Sequence, residues 1–395
     1  MNKTSVFNIK IDFDKSQGSY IFDKNTNQKY LDFMGMYSSL PLGYNHPTFN
    51  TKFKKEIAKI AKLKLVNCEI LSDEFNDFYS SFKSFTKGDH YHFTCTGALA
   101  NEAAIKTAMW YKGPNPKGYV LSIKNSFHGI NSVGNILTSR FPGVDIRQGN
   151  LPGTNIWPSV NNISEAIKYI KKHQSLISNR LFFLKKSYLQ GVIIEPIQAT
   201  FGDKYFPLSE LKELREVCTK YDIPLIFDEV QTGFGSSGNV WYHTHLGIEP
   251  DIVSFGKKSQ VSGIMVKNSH SKIFDIPKRL SVTFDGDLVD MVRCNYIIKT
   301  IKKDKLLKNV NIMGNYFYKK LLNFTQLKNI RQTGLLIAFD FENQAQRDQF
   351  YKKLYHNGML CNPTGSKSIR LRPNLAVKKS EINKAVNLIK KSLNN

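Results

Sequence analysis

The stretch PLIFDEVQTGFGSSG (224–238), followed after a short gap by PDIVSFGKK (250–258), decides the fold. Leu225, Ile226 and Phe227 form an unbroken apolar run that ends in Asp228. Ile252–Phe255 forms a second run that ends in Gly256, Lys257 and Lys258. Short apolar runs closed by polar or glycine turns read as strands buried on both faces. Working outward, similar runs occur at YHFTC (91–95), YVLSI (119–123) and GVIIEP (191–196). Between them lie helical stretches at Ala98–Lys112 and Ser209–Tyr221, the latter with Leu211, Leu214 and Val217 on one face. Strands alternating with helices define an α/β protein with a mostly parallel sheet. Such sheets bind ligands at the carboxyl ends of their strands, where Asp228 and Lys257 stand.

Composition narrows the class. The chain has 395 residues, enough for about two domains, with 41% hydrophobic and 12% aromatic residues. It is therefore neither disordered nor fibrous. No apolar stretch reaches the roughly 18 residues of a spanning helix, so no membrane partner is expected. Met1–Asp14 lacks the apolar centre of a secretory signal. The five cysteines, Cys68, Cys95, Cys218, Cys294 and Cys361, form no CxxC pair. Neither a disulfide framework nor a metal site is expected, and the setting is read as cytoplasmic. The 56 Lys+Arg against 32 Asp+Glu give a net charge of +24. The densest run, KTIKKDKLLK (299–308), reads as one helix with its lysines in water. It has no interleaved aromatics, so no nucleic-acid partner is expected. Residues 271–395 hold 24 Lys+Arg and 9 Asp+Glu, a net +15, which can steer anionic substrates.

The pattern changes along the chain. Gly18–Leu42 reads as short strands and turns, and Pro47–Lys64 as helical. Beyond residue 286, Lys-rich helices alternate with short strands at LLIAFDF (335–341) and SIRLRP (368–373). The expected organisation is an N-terminal segment 1–47 joined to a small domain 286–395, with a large domain 48–285 between them.

Asp228 and Lys257 suit one cofactor. Pyridoxal 5'-phosphate needs a lysine for its Schiff base and an acid beside its pyridinium nitrogen. Spacing alone equally fits an aspartate capping a helix and a lysine in a loop. YHFTC leads through Thr96, Gly97 and Ala98 into a helix, whose first N–H groups form an anion site.

Further motifs add to this. LDFMGMYSSLPLGYNHP (31–47), FTCTGALANEAAIKTA (93–108), NSFHG (125–129), EPIQ (195–198), FDEVQTGFG (227–235) and PDIVSFGKK occur in one order. Together they resemble the class III aminotransferases of the fold-type I pyridoxal-phosphate enzymes, across almost the whole chain. FGKKSQVSGIM (255–265) and RLSVTFDGDLVDMVR (279–293) most resemble the L-lysine 6-aminotransferases. The resemblance implies a large domain on a mostly parallel seven-stranded sheet plus a smaller α+β domain. It implies Lys257 as the Schiff-base and proton-shuttling residue, with Lys258 its competitor, and Asp228 on the ring nitrogen. Gln231 would lie near the phenolic oxygen and Phe127 on a ring face, unless it is an ordinary core residue. His128 would flank the ring or be structural. Thr96, Gly97 and Ala98 would hold the phosphate, joined by Thr283 from a partner subunit of a homodimer; otherwise Thr283 is a surface hydroxyl. Glu195 and Gln198 would shape the site floor. Arg370, with Arg372 as runner-up, would bind a substrate carboxylate through its planar fork.

Two positions depart from that pattern. Ile130 stands where an arginine for the distal carboxylate of 2-oxoglutarate is expected, and Thr200 where a glutamate pairs with the substrate arginine. Ser281-Val282-Thr283 also replaces Asn-Ser-Thr. A buried carboxylate without a partner costs several kcal/mol. Either Arg140 or Arg147 substitutes, or the acceptor is another keto acid, such as pyruvate. The resemblance implies transfer of a terminal amine of lysine or a like donor, giving 2-aminoadipate 6-semialdehyde and its cyclised piperideine-6-carboxylate. Other readings are ornithine, 4-aminobutyrate or secondary-metabolite amine specificity, an aminomutase or racemase, and a basic nucleic-acid-binding protein.

Overall fold

A computed structural model describes residues 7–66, 69–139, 157–178 and 188–394, with the side chains of 174–178 excepted. The chain divides into two compact units. The larger comprises Ile57–Phe234 and Asn239–Ile298; the smaller comprises Met1–Glu56, Gly235–Gly238 and Lys299–Asn395. The change-overs fall inside the helices Thr51–Ile60 and Leu288–Lys303, not at 47/48 and 285/286. A helix shows no break in composition where its surroundings change.

The larger unit carries a seven-stranded sheet. Its order is His90–Thr94, Ser262–Val266, Ile252–Phe255, Leu225–Asp228, Leu189–Ile194, Tyr119–Ile123, Ser159–Val160. The last five run parallel to one another, and Ser262–Val266 runs antiparallel to both its neighbours. The expected α/β fold with a mostly parallel sheet is thus present. Alternation of side chains along each strand sends residues to opposite faces. Leu121, Val192, Ile194, Leu225 and Phe227 pack with Ile167, Ile170, Leu211 and Leu214 of the helices Ile163–Ser178 and Leu208–Lys220. Val120, Ile193, Ile226 and Ile252 pack on the other face with Ala100, Ala104, Ile105 and Ala108 of the helix Gly97–Lys112. Its alanines let the helix lie close to the sheet.

In the smaller unit, Tyr20–Phe22, Lys29–Asp32 and Met359–Leu360 form one sheet. Lys328–Thr333, Leu336–Asp340, Ser368–Leu371 and Asn362–Thr364 form another. Gly235–Gly238 belongs here because Leu335 N donates to Ser236 O at 3.0 Å. The run 299–308 is not one helix. Leu288–Lys303 ends, Lys305 takes a left-handed φ of 51°, and Leu306–Leu321 begins.

Candidate active site

Asp228 lies two residues beyond Ile226 and so faces the helix Gly97–Lys112. It is 4% exposed. Its Oδ2 accepts from Asn101 Nδ2 at 2.7 Å and from His128 Nδ1 at 2.9 Å. Its Oδ1 accepts from Val230 N at 3.1 Å. Three donors meet the demand that a buried carboxylate be satisfied. Donation from Nδ1 fixes the orientation of the fully buried His128 ring. Its Nε2 is left buried without a partner among the described residues, as are Gln198 Oε1 and Gln231 Oε1. Register places Ser254 directly opposite Asp228 on the neighbouring parallel strand, and Lys257 follows three residues later.

Thr96 caps the helix in extended conformation (φ −143°, ψ 155°). Its hydroxyl accepts from Leu99 N at 3.2 Å and its carbonyl takes Ala100 N. The N–H groups of Gly97 and Ala98 are left for an anion, in line with the helix dipole. Glycines at two points permit the close approach. A Cβ on Gly256 would sit 2.7 Å from Ser262 Oγ and 3.6 Å from Gly97 Cα, which brings the Lys257 strand end to the helix start. Gly129 has φ +113°, and a Cβ there would lie 2.8 Å from Ala98 Cβ. The NSFHG loop is thereby pressed on the same helix end.

Glu195 and Gln198 hold that loop. Glu195 Oε1 accepts from Phe127 N at 2.8 Å. Gln198 Nε2 donates to Lys124 O at 2.8 Å and to Ser126 Oγ at 3.1 Å. Thr138 Oγ1 accepts from His128 N at 2.8 Å. Phe127 itself is half-buried. Lys257 sits at φ +52°, a left-handed backbone that costs a non-glycine residue about 1–3 kcal/mol and marks functional sites. Lys257 is half-buried, whereas Lys258 is 2% exposed.

Thr96, Gly97, Ala98, Phe127, His128, Glu195, Gln198, Asp228 and Lys257 are thus tied together by bonds, close packing and strand register. Gln231 adjoins Val230. Thr283 lies on an exposed loop of the same unit, anchored where Cys95 Sγ donates to Phe284 O at 3.0 Å. Ile130 is 66% exposed. Thr200 is buried, with its hydroxyl unpartnered among the described residues. Arg370 belongs to the smaller unit, on the strand Ser368–Leu371 opposite Ala338 and Asn362, and is buried. Arg372 there donates through Nη1 to Leu371 O at 3.0 Å. Arg140 and Arg147 lie outside the described residues. Sequence reading missed Asn101, Ser254 and Thr138. Asn101 had a signal, being an amide within an alanine-rich helix face; the two hydroxyl residues had none.

A model of the aminotransferase class-III family matches residues 1–393. The L-lysine-epsilon aminotransferase of Mycobacterium tuberculosis (strain ATCC 25618 / H37Rv) is 30% identical over 423 residues, covering 98% of this chain and 92% of its own. That of Amycolatopsis lactamdurans is 29% identical over 419 residues, covering 99% and 93%. The solved structure of lysine aminotransferase from M. tuberculosis in the internal aldimine form superposes with a TM-score of 0.90 at 29% identity, over 100% of this chain and 96% of that one. The chain belongs to the class III aminotransferase family. It is an enzyme of the pyridoxal-phosphate-dependent transferase class.

Proposed function

We propose that this aminotransferase moves the ε-amino group of L-lysine, or of a lysine-like terminal amine, to a keto acid. The product is 2-aminoadipate 6-semialdehyde, which closes to piperideine-6-carboxylate. The observation that carries the chemistry is the buried Asp228 carboxylate at a strand end, one register step from the strand that leads into Lys257. The lysine preference is supported by the relatives named above and by the Lys257-Lys258-Ser-Gln-Val run.

The residues fit the cofactor. A buried carboxylate, and the Gly97 and Ala98 N–H groups that the Thr96 cap leaves over, are what the ring nitrogen and the phosphate of this cofactor would satisfy. Bound pyridoxal phosphate supplies an electron sink for charge developing beside the amine nitrogen. The chain supplies the rest. Gly97 and Ala98 N–H groups, with the Thr96 turn, bind the phosphate, and Thr283 of the other subunit of a homodimer reaches it too. Asp228 holds a proton at the ring nitrogen, and His128 and Asn101 hold Asp228. Phe127 covers a ring face, fixed by Glu195 through its backbone. Gln231 donates to the ring's phenolic oxygen. Lys257 would hold the cofactor through its amine and would act as the base that moves a proton at the substrate carbon. Arg370 binds the substrate carboxylate.

Ile130 and Thr200 set the acceptor apart. Neither offers a cation or an acid, so the site favours an acceptor with one carboxylate, such as pyruvate, over 2-oxoglutarate. No helix among the described residues is long and apolar enough to cross a membrane, and we place the enzyme in the cytoplasm. Steady-state assays over a panel of amines, with 2-oxoglutarate and pyruvate as acceptors, test this reading. Lysine turnover that saturates with pyruvate supports it. Turnover of ornithine or 4-aminobutyrate in preference to lysine contradicts the donor, and saturation only with 2-oxoglutarate contradicts the acceptor.

A further inference from the structure

Asn101 makes three bonds that join four parts of the site. Its Nδ2 donates to Asp228 Oδ2 at 2.7 Å and to the carbonyl of His128 at 3.0 Å. Its Oδ1 accepts from Ser254 Oγ. Asn101 stands on the helix that starts at the anion site; Ser254 stands on the strand that runs into Lys257. Asn101 is 2% exposed and Ser254 fully buried.

The chemistry of the neighbours dictates the amide's orientation. The Asp228 carboxylate and the His128 carbonyl are acceptors only, so the NH2 group must face them. The amide oxygen then faces Ser254, whose hydroxyl must donate. No other arrangement satisfies all four groups. Oδ2 of Asp228 therefore receives two donors from two elements, Asn101 from the helix and His128 from the loop. We infer that Asn101, oriented by Ser254, is a positioning residue that aims the Asp228 carboxylate at the ring nitrogen of the cofactor. This rests on Asp228 being that nitrogen's partner, as proposed above.

Positioning and plain packing leave different signatures. Losing the amide leaves the His128 carbonyl short of a donor, and that weakens binding of any cofactor. Losing the aim of Asp228 weakens binding only of a cofactor that has a ring nitrogen. The probes are pyridoxal phosphate and its 1-deaza analogue, in which carbon replaces that nitrogen. Dissociation constants for both are measured on the apoprotein of wild type, Asn101→Ala and Ser254→Ala, with far-UV circular dichroism to establish folding. Wild type is expected to prefer pyridoxal phosphate. That preference should fall at least fivefold in Asn101→Ala and at least twofold in Ser254→Ala. If Asn101→Ala does not fold, Ser254→Ala decides, because it leaves the amide in place. A preference that keeps its wild-type value in the folded variants, with both affinities falling together or neither falling, overturns the inference. A wild type with no preference removes the Asp228 pairing itself and Asn101's role with it, and is recognised before any variant is made.

Discussion

The surroundings of Asp228 and the positions expected to choose the acceptor are built differently. Around Asp228, the side-chain contacts join several elements, and only the bond from Val230 N is local. Asn101 comes from a helix, His128 from a loop braced by Glu195, Gln198 and Thr138, and Ser254 from the adjacent strand. At Ile130 the side chain is largely exposed, and at Thr200 the hydroxyl has no partner among the described residues. A change in the first region breaks several buried bonds at once. A change in the second breaks none. Chemistry common to a family is therefore held in place by the fold, while substrate choice can drift with little cost to folding.

The largest effect should come from Lys257. Lys257→Ala takes away the proposed covalent anchor and proton carrier, and kcat should drop by about 10²–10⁴ or more. Lys258→Ala should leave far more activity; equal loss in both would blur the line between the wired site and its surroundings.

Next is Asp228→Ala. It leaves His128 Nδ1–H and one N–H of the Asn101 amide buried without their acceptor. The apoprotein should lose about 3–5 kcal/mol of stability in urea denaturation. A loss under about 1 kcal/mol would mean that the buried network is not what distinguishes this region.

The double variant Ile130→Arg with Thr200→Glu tests the other region. The ratio of kcat/KM for 2-oxoglutarate over pyruvate should rise about tenfold, or about 1.4 kcal/mol, and Ile130→Arg alone should leave stability unchanged because that side chain is largely exposed. A fall in stability as large as that of Asp228→Ala would erase the contrast.

The smallest effect concerns acid. His92 Nε2 lies 3.5 Å from Asp285 Oδ2, close enough for an ion pair. Yet burial lowers His92 to about 4, with Lys106 acting the same way, and burial raises Asp285. The contact is better read as one made by a neutral imidazole than as an ion pair, because burial disfavours the charge on His92. The unfolded chain titrates this histidine near 6.5. Between about 4 and 6.5 it binds a proton that the folded chain refuses. The stabilisation is thus complete above 6.5 and is lost as pH falls towards 4. His92→Gln should make denaturation less sensitive to acid, by about 1 kcal/mol at pH 6. An unchanged profile would place the acid sensitivity elsewhere, the Asp228 cluster included.

Much of this was legible in the sequence. Apolar runs ending in Asp228 and Lys257 gave the sheet and its ligand edge, because buried parallel strands leave continuous apolar stretches. The helix start at Thr96-Gly97 was readable from the small-residue turn. The Asn101–Ser254 link was not, because a bond between residues 153 apart in sequence leaves no local pattern. Nor was the break at Lys305, where a left-handed residue divides a run whose charge pattern is continuous. That Glu195 accepts from the backbone of the NSFHG loop, and that Gln198 holds Lys124 and the Ser126 hydroxyl, also needed coordinates, since their spacing fits a role at the ring equally well.

The central claim is that Lys257, at the end of the strand beside Asp228, carries the cofactor. Reduction of the purified holoenzyme with borohydride, followed by peptide mass spectrometry, measures it most directly. The expected result is a phosphopyridoxyl group on Lys257, absent from Lys257→Ala. A group on Lys258, or no modified peptide from a protein that retains its visible absorbance, would contradict it.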